Sequence, residues 1–213
     1  MKLTSFATLC LGAVQAQAAQ RTDYFFRFAG GNDIIDGQRL RSNNSIDFYS
    51  PGVTQPPYNP QDHFMRLSTN ATACTPSAIL TVVPTKPHPP PVPGYYGLSD
   101  LEGVPDAYRL VYTYRLDDAG AGFKYTEWQL ARTGEAGRVL LRYAGGGDGG
   151  EWAWIARRET SAPGDVEKWV PWYVKRSEAN AETLGTWDIE DADLELVEAK
   201  GPVNSEAPGG IQE

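Results

Sequence analysis

The chain has 213 residues and a net charge of −8, from 27 acidic and 19 basic side chains. An acidic surface repels phosphate backbones and anionic lipid, so nucleic-acid binding is not expected. Six tryptophans, 11 tyrosines and seven phenylalanines supply bulk for a core, whereas two histidines and two cysteines leave little for metal or nucleophile chemistry.

The first residues are Lys2, an apolar run from Leu3 to Val14, and then Gln15-Ala16-Gln17-Ala18-Ala19. A basic start, a short apolar stretch and a small-residue cleavage site form the layout of a secretory signal peptide. The run is shorter than the roughly 20 apolar residues that cross a bilayer, and no later segment reaches that length. Residues 1–19 are therefore expected to be a signal peptide, and the protein to be secreted, extracellular or in the cell wall, with no membrane span. Cys10 leaves with this leader. Cys74 then has no intramolecular partner, so the fold must rest on its core, and Cys74 is either buried or paired with another chain.

Residues 20–200 read as one β-rich domain. Tyr24-Phe25-Phe26-Arg27-Phe28 is a strand signal, followed by turns at Gly30-Gly31-Asn32-Asp33 and Asp36-Gly37. This opening, Tyr24 to Ala29 and then Ile34-Ile35-Asp36-Gly37-Gln38-Arg39-Leu40, resembles small secreted fungal cell-wall proteins of the PhiA type. The resemblance implies a β-rich, glycosylated, extracellular protein without assigned catalytic residues. The chain departs from that pattern in its one mature cysteine, where a pair is expected.

Sequons at Asn43-Asn44-Ser45 and Asn70-Ala71-Thr72 make Asn43 and Asn70 candidate N-glycan acceptors on surface loops. Further strands are expected at Ile46 to Tyr49, Phe64 to Leu67 and Ile79 to Val83. The stretch from Pro84 to Gly94 contains six prolines among its eleven residues. It should run as an extended polyproline crossover on the surface of the domain, because proline fixes φ and lacks an amide donor.

In the second half, strands are expected at Tyr108 to Leu116, Phe123 to Ala131, Arg138 to Tyr143, Trp152 to Arg158, Trp169 to Lys175 and Leu194 to Val197. Leu110, Tyr112 and Tyr114 share one face of their strand, with Val111 the exception on the other. Trp152 and Trp154 also share a face, and Trp169 and Trp172 point oppositely. Pro171 cannot donate to a ladder, which suggests an edge strand or a bulge. Short connections predict an antiparallel meander from Tyr108 to Arg158. The fold class is all-β, an antiparallel β-sandwich or barrel, with 201–213 a disordered tail lacking periodic apolar residues.

The chemistry-bearing residues are sparse. His63 and His88 are isolated, and neither a Gly-x-Ser-x-Gly elbow nor a histidine ligand cluster exists, so triad hydrolysis and a metal site are not expected. Glu127 and Glu151 lie beside Trp128 and Trp152, but alternation points each acid away from its tryptophan, as a solvated carboxylate would point. Gly145 to Gly150 runs from strand to strand without the Gly-Lys-Ser/Thr ending of a phosphate loop. Asp188, Glu190, Asp191, Asp193, Glu195 and Glu198 could offer hard oxygens to calcium, yet the EF-hand loop is absent and such runs are usually solvated. No cofactor is expected.

Aromatic faces stack on sugar rings, and Trp172 and Trp187 are the tryptophans expected to be exposed for ligand binding. The leading expectation is a secreted, N-glycosylated, non-catalytic cell-wall, surface or host-interaction protein contacting a cell-wall polysaccharide or surface glycan. The alternative is a small enzyme, either carboxylate-dependent and glycan-active or a β-barrel acting on a small molecule in an apolar cavity.

Overall fold

The computed structural model describes residues 22–43, 51–54, 62–70, 78–83, 94–100, 103–133, 137–144, 152–159 and 167–200. The expected signal peptide, the strand at 46–49, Cys74, residues 84–93 with His88, residues 145–151 and the tail lie outside these, as do the side chains of Asn43 and His63.

The described chain is all-β. Its strands are β1 (Asp23–Ala29), β2 (Arg41–Asn43), β3 (Val53–Thr54), β4 (Asp62–Phe64), β5 (Arg66–Thr69), β6 (Leu80–Val83) and β7 (Tyr95–Ser99). They continue with β8 (Ala107–Thr113), β9 (Trp128–Thr133), β10 (Arg138–Tyr143), β11 (Trp152–Glu159), β12 (Lys168–Lys175), β13 (Ile189–Asp191) and β14 (Asp193–Glu198). One short helix, α1 (Glu178–Gly185), and a 3-10 turn at Leu116–Ala119 complete the elements.

All strand pairs are antiparallel, and the main sheet has the order β13-β11-β12-β8-β7-β6-β5-β1-β14-β10-β9, with β3 added beside β12. β13 and β14 are one stretch of chain interrupted only at Ala192. The path from β13 round to β14 therefore returns to the segment it left, and the sheet curls into a barrel-like wall. Through that continuity the β13–β14 segment pairs with β1 as well as with β11, which limits exposed strand edges.

Period-two alternation decides what faces inward. Phe26 and Phe28 of β1, Leu110 and Tyr112 of β8, Trp154 of β11, Trp169 and Tyr173 of β12, and Leu194 and Leu196 of β14 join one core cluster. Trp128, Trp154, Tyr96, Phe26 and Phe28 are among its fully buried side chains, and each large apolar side chain buried contributes about 1.5–3 kcal/mol. The opposite faces of several strands are covered as well. Val111 packs with Ala119 and Phe123, which explains its break in alternation, and Val170, Trp172 and Val174 pack with Leu184 of α1.

α1 is fastened by Asn180, which is fully buried. Its Nδ2 donates to Lys175 O at 2.8 Å and to Pro105 O at 3.1 Å, while its Oδ1 accepts the Ser177 N–H at 3.2 Å. One side chain thus satisfies the helix start and ties it to β12, as capping residues do.

Three expectations are corrected. β8 pairs with β7 and β12, and β10 pairs with β14, so of the expected meander only the β9–β10 hairpin forms. The strand expected from Phe123 begins at Trp128, because Lys124 bridges to Leu98 of β7 while Trp128 bridges to Ala78 ahead of β6. β12 is not an edge: it pairs with β11 throughout, and with β3 and β8 on its other side. Lys175 N–H donates to Asp106 O on that other side, and alternation sends the nitrogen of Pro171 the same way. Pairing there lapses between Trp169, opposite Val53, and Trp172, opposite Arg109. The missing donor of Pro171 falls in that gap, where no ladder bond is lost.

Candidate functional site

The continuous β13–β14 segment has two successive neighbours on one side. β11 accompanies Ile189 to Asp191, and β10 accompanies Glu195 and Leu196. Between them β10 and β11 part, and backbone groups there need other partners. Trp154 Nε1 donates to Leu141 O at 2.7 Å, and Tyr173 OH donates to Tyr143 O at 3.4 Å. Two inward aromatic side chains thus hold β10 against the inner face of β11 and β12.

On the outer side, where β13 passes into β14, lies a depression of about 330 Å³ lined by Ala29, Ala153, Trp154, Arg176, Asp191, Ala192 and Asp193. The alanines bring the backbone of three strands to its floor. Odd-numbered residues of β13 and β14 point outward, so Asp191 and Asp193 lie on the rim, and Glu195, buried, follows them beyond it. Each meets an arginine from a different element: Asp191 accepts from Arg176, Asp193 from Arg142 Nη2 at 2.8 Å, and Glu195 from Arg27 Nη2 at 2.6 Å. At the depression itself the Arg176 guanidinium and the Asp191 and Asp193 carboxylates offer both donors and acceptors to hydroxyls.

Most of the acidic run singled out as a possible calcium set is engaged in such pairs. Asp188 also meets Arg158, at 3.2 Å, and Glu190 accepts from Asn32 Nδ2 at 3.2 Å. Among the described residues no group of three or more His, Cys, Asp or Glu side chains is arranged to hold a metal.

The expectation that Trp172 presents a stacking face is overturned. Trp172 is 0 % exposed, because its face of β12 lies under α1 and Trp187. Its ring is 4.8 Å from that of Trp187, and its Nε1 donates to Glu159 Oε1 at 2.8 Å. Trp187 is half-buried, with the Arg157 guanidinium 3.8 Å from its ring centre. A cation–π contact of this kind holds the ring in place. Asn70 is exposed at the end of β5, and its Oδ1 accepts the Ile79 N–H at 3.1 Å, a bond that does not use the amide nitrogen to which a glycan would attach. Glu127 is exposed and precedes β9, while Glu151 lies outside the described residues.

The depression brings together residues that sequence reasoning treated separately or passed over. Asp191 and Asp193 were visible as part of an acidic run, but Arg176 and the three alanines carry no signal of their own. Their meeting depends on β1 and β11 both pairing with the β13–β14 segment, which no local pattern encodes.

No helix among the described residues is long and apolar enough to cross a membrane. No protein-family model, curated protein or solved structure matches the chain.

Proposed function

We propose that this chain is an exported, N-glycosylated, non-catalytic β-protein of a cell wall or cell surface, and that it contacts a polysaccharide or surface glycan through the depression lined by β11 and the β13–β14 segment. The observation that carries this reading is the filling of the barrel interior. Trp128, Trp154, Tyr96, Phe26 and Phe28 occupy the space that a ligand-shaping barrel would leave empty.

The outer depression offers what a hydroxylated polymer needs. It is lined by three alanines and carries the Arg176 guanidinium beside the Asp191 and Asp193 carboxylates. The signal peptide, the sequons and the resemblance to secreted wall proteins support the same setting. A glycosidase would need one rim carboxyl to deliver a proton and another to act as base or nucleophile. Asp191 and Asp193 instead each accept from a guanidinium, which favours binding over hydrolysis.

Retention on a panel of insoluble polysaccharides tests the proposal. The parent protein should be retained on at least one of them, and the double variant Asp191→Asn, Asp193→Asn should lose at least about tenfold in affinity, the equivalent of about 1.4 kcal/mol. No retention on any member, or equal retention of the variant, would contradict it.

A further inference from the structure

The charges at the depression do not cancel. Among the residues lining it, the Arg176 guanidinium stands against the two carboxylates of Asp191 and Asp193. Two further groups reach the rim from outside the lining. Arg142 meets Asp193 from β10. Asp36 accepts the Gly30 N–H at 2.7 Å, in a turn that lies against β13: a methyl group at Gly30 would be 3.7 Å from Asp191 O. Arg142 and Asp36 offset one another, so the excess of negative charge remains. The turn from Gly30 to Gly37 holds Asp33 and Asp36 and no lysine or arginine, and the whole chain carries −8. Both extend the negative field beyond the rim.

The ion pairs at the depression are of a kind that a ligand can enter. The Arg176 and Asp191 side chains are 54 % and 72 % exposed, and pairs so open to water hold weakly. Arg176 meets Asp191 through Oδ1, and Arg142 meets Asp193 through Oδ1. The Oδ2 atoms of both aspartates have no donor among the described residues. Ionised carboxylates only accept hydrogen bonds, whereas an ammonium carries three donors and no acceptor. Such charge-assisted bonds are roughly twice as strong as those a neutral hydroxyl donates.

Resting on the reading of the depression as a glycan site, we propose that its glycan carries free amines: a polymer of amino sugars that are not acetylated. One sugar ammonium seats between Asp191 and Asp193 and takes the place of Arg176 on Asp191. The sugar ring lies over Ala29, Ala153 and Ala192, where no side chain is bulky enough to hold it off. Arg176, released from Asp191, donates to the ring hydroxyls of the neighbouring sugar.

The test is calorimetric titration of the protein with a hexamer of glucosamine, its fully N-acetylated counterpart, a hexamer of galacturonic acid and hexalysine. It is run at about pH 5.5, above the ordinary carboxylate range and below the amine range, so that both partners are charged. The glucosamine hexamer should bind at least about tenfold more tightly than the other three. The double variant Asp191→Asn, Asp193→Asn should lose that preference. Arg176→Gln, which removes the competing cation from an exposed position, should bind the glucosamine hexamer as tightly as the parent or more so. Weakening by at least about fivefold in Arg176→Gln would overturn the proposal, because Arg176 would then be a required donor rather than a displaced one. Equal or tighter binding of the acetylated or uronic hexamer would also overturn it, while leaving the depression a glycan site. Equal binding of hexalysine would show that charge alone is read and overturn both. Absence of binding by any hexamer would overturn both as well.

Discussion

The indole of Trp154 donates its N–H to the carbonyl of Leu141 at 2.7 Å, joining β11 to β10 where their backbones do not pair. Trp154 is 2 % exposed and its ring lies parallel to that of Trp128 at 6.3 Å. Replacing it with phenylalanine removes the donor, leaves the Leu141 carbonyl one partner short and opens space beside Trp128. Trp154→Phe should lower stability by about 2 kcal/mol, read as a reduced urea midpoint. An unchanged midpoint would show that β10 is held by other means.

Gly97 sits in β7 where the Lys124 segment crosses closely. A methyl group there would come within 2.5 Å of the Phe123 ring and 2.9 Å of the Lys124 backbone oxygen. The ring has some freedom to move, but the backbone oxygen is held by the Leu98–Lys124 bridge. Gly97→Ala should therefore destabilise the protein by about 1–3 kcal/mol and broaden the resonances of residues 123–127. A neutral substitution would mean that this segment is not pinned against β7.

The left-handed backbone at Glu127 separates two truncations that remove the same carboxylate. Glu127→Gly and Glu127→Ala both lose the Tyr143 hydrogen bond, but only glycine adopts φ +67° without a steric cost. The glycine variant should be the more stable of the two by about 1 kcal/mol. Alanine matching or exceeding glycine in urea unfolding would contradict the assigned conformation.

Much of the wall was legible in the sequence. Asp23–Ala29, Arg138–Tyr143, Trp152–Glu159 and Lys168–Lys175 announce themselves by aromatic and β-branched alternation. β7 did not, because Tyr95–Ser99 is short, follows a proline-rich stretch and carries a glycine. α1 escaped because eight residues with only Asn180 and Leu184 buried leave almost no helical period. Pairing was harder still. The leap from β8 to β12, and the shift of β14's neighbour from β11 to β10, are long-range choices made by the whole core. The depression inherits that difficulty, since Ala29, Ala153 and Asp193 are neighbours only after the sheet has curled.

Tyr96, Tyr114, Tyr143 and Tyr173 all have phenols pushed above the ordinary tyrosine range, with burial the largest cause in each. The folded state therefore holds these protons more tightly than the unfolded chain, whose tyrosines ionise near pH 10, as a rough reference. The stabilisation is complete below that pH and is lost as pH rises through it toward the folded-state values. Stability should fall steeply in alkali, and less steeply in Tyr143→Phe. A folded protein in which all tyrosines ionise together near pH 10, by ultraviolet absorbance, would contradict the raised values.

The central claim is that the curled sheet, its interior filled by side chains, presents a binding surface without chemistry, and one measurement addresses both halves. The protein is incubated with the polysaccharide panel, and retained protein and released reducing ends are quantified from the same samples. The account predicts retention on at least one polymer, reduced in Asp191→Asn, Asp193→Asn, with no release of reducing ends above the protein-free control. Release that depends on the protein, or absence of retention throughout, would contradict it.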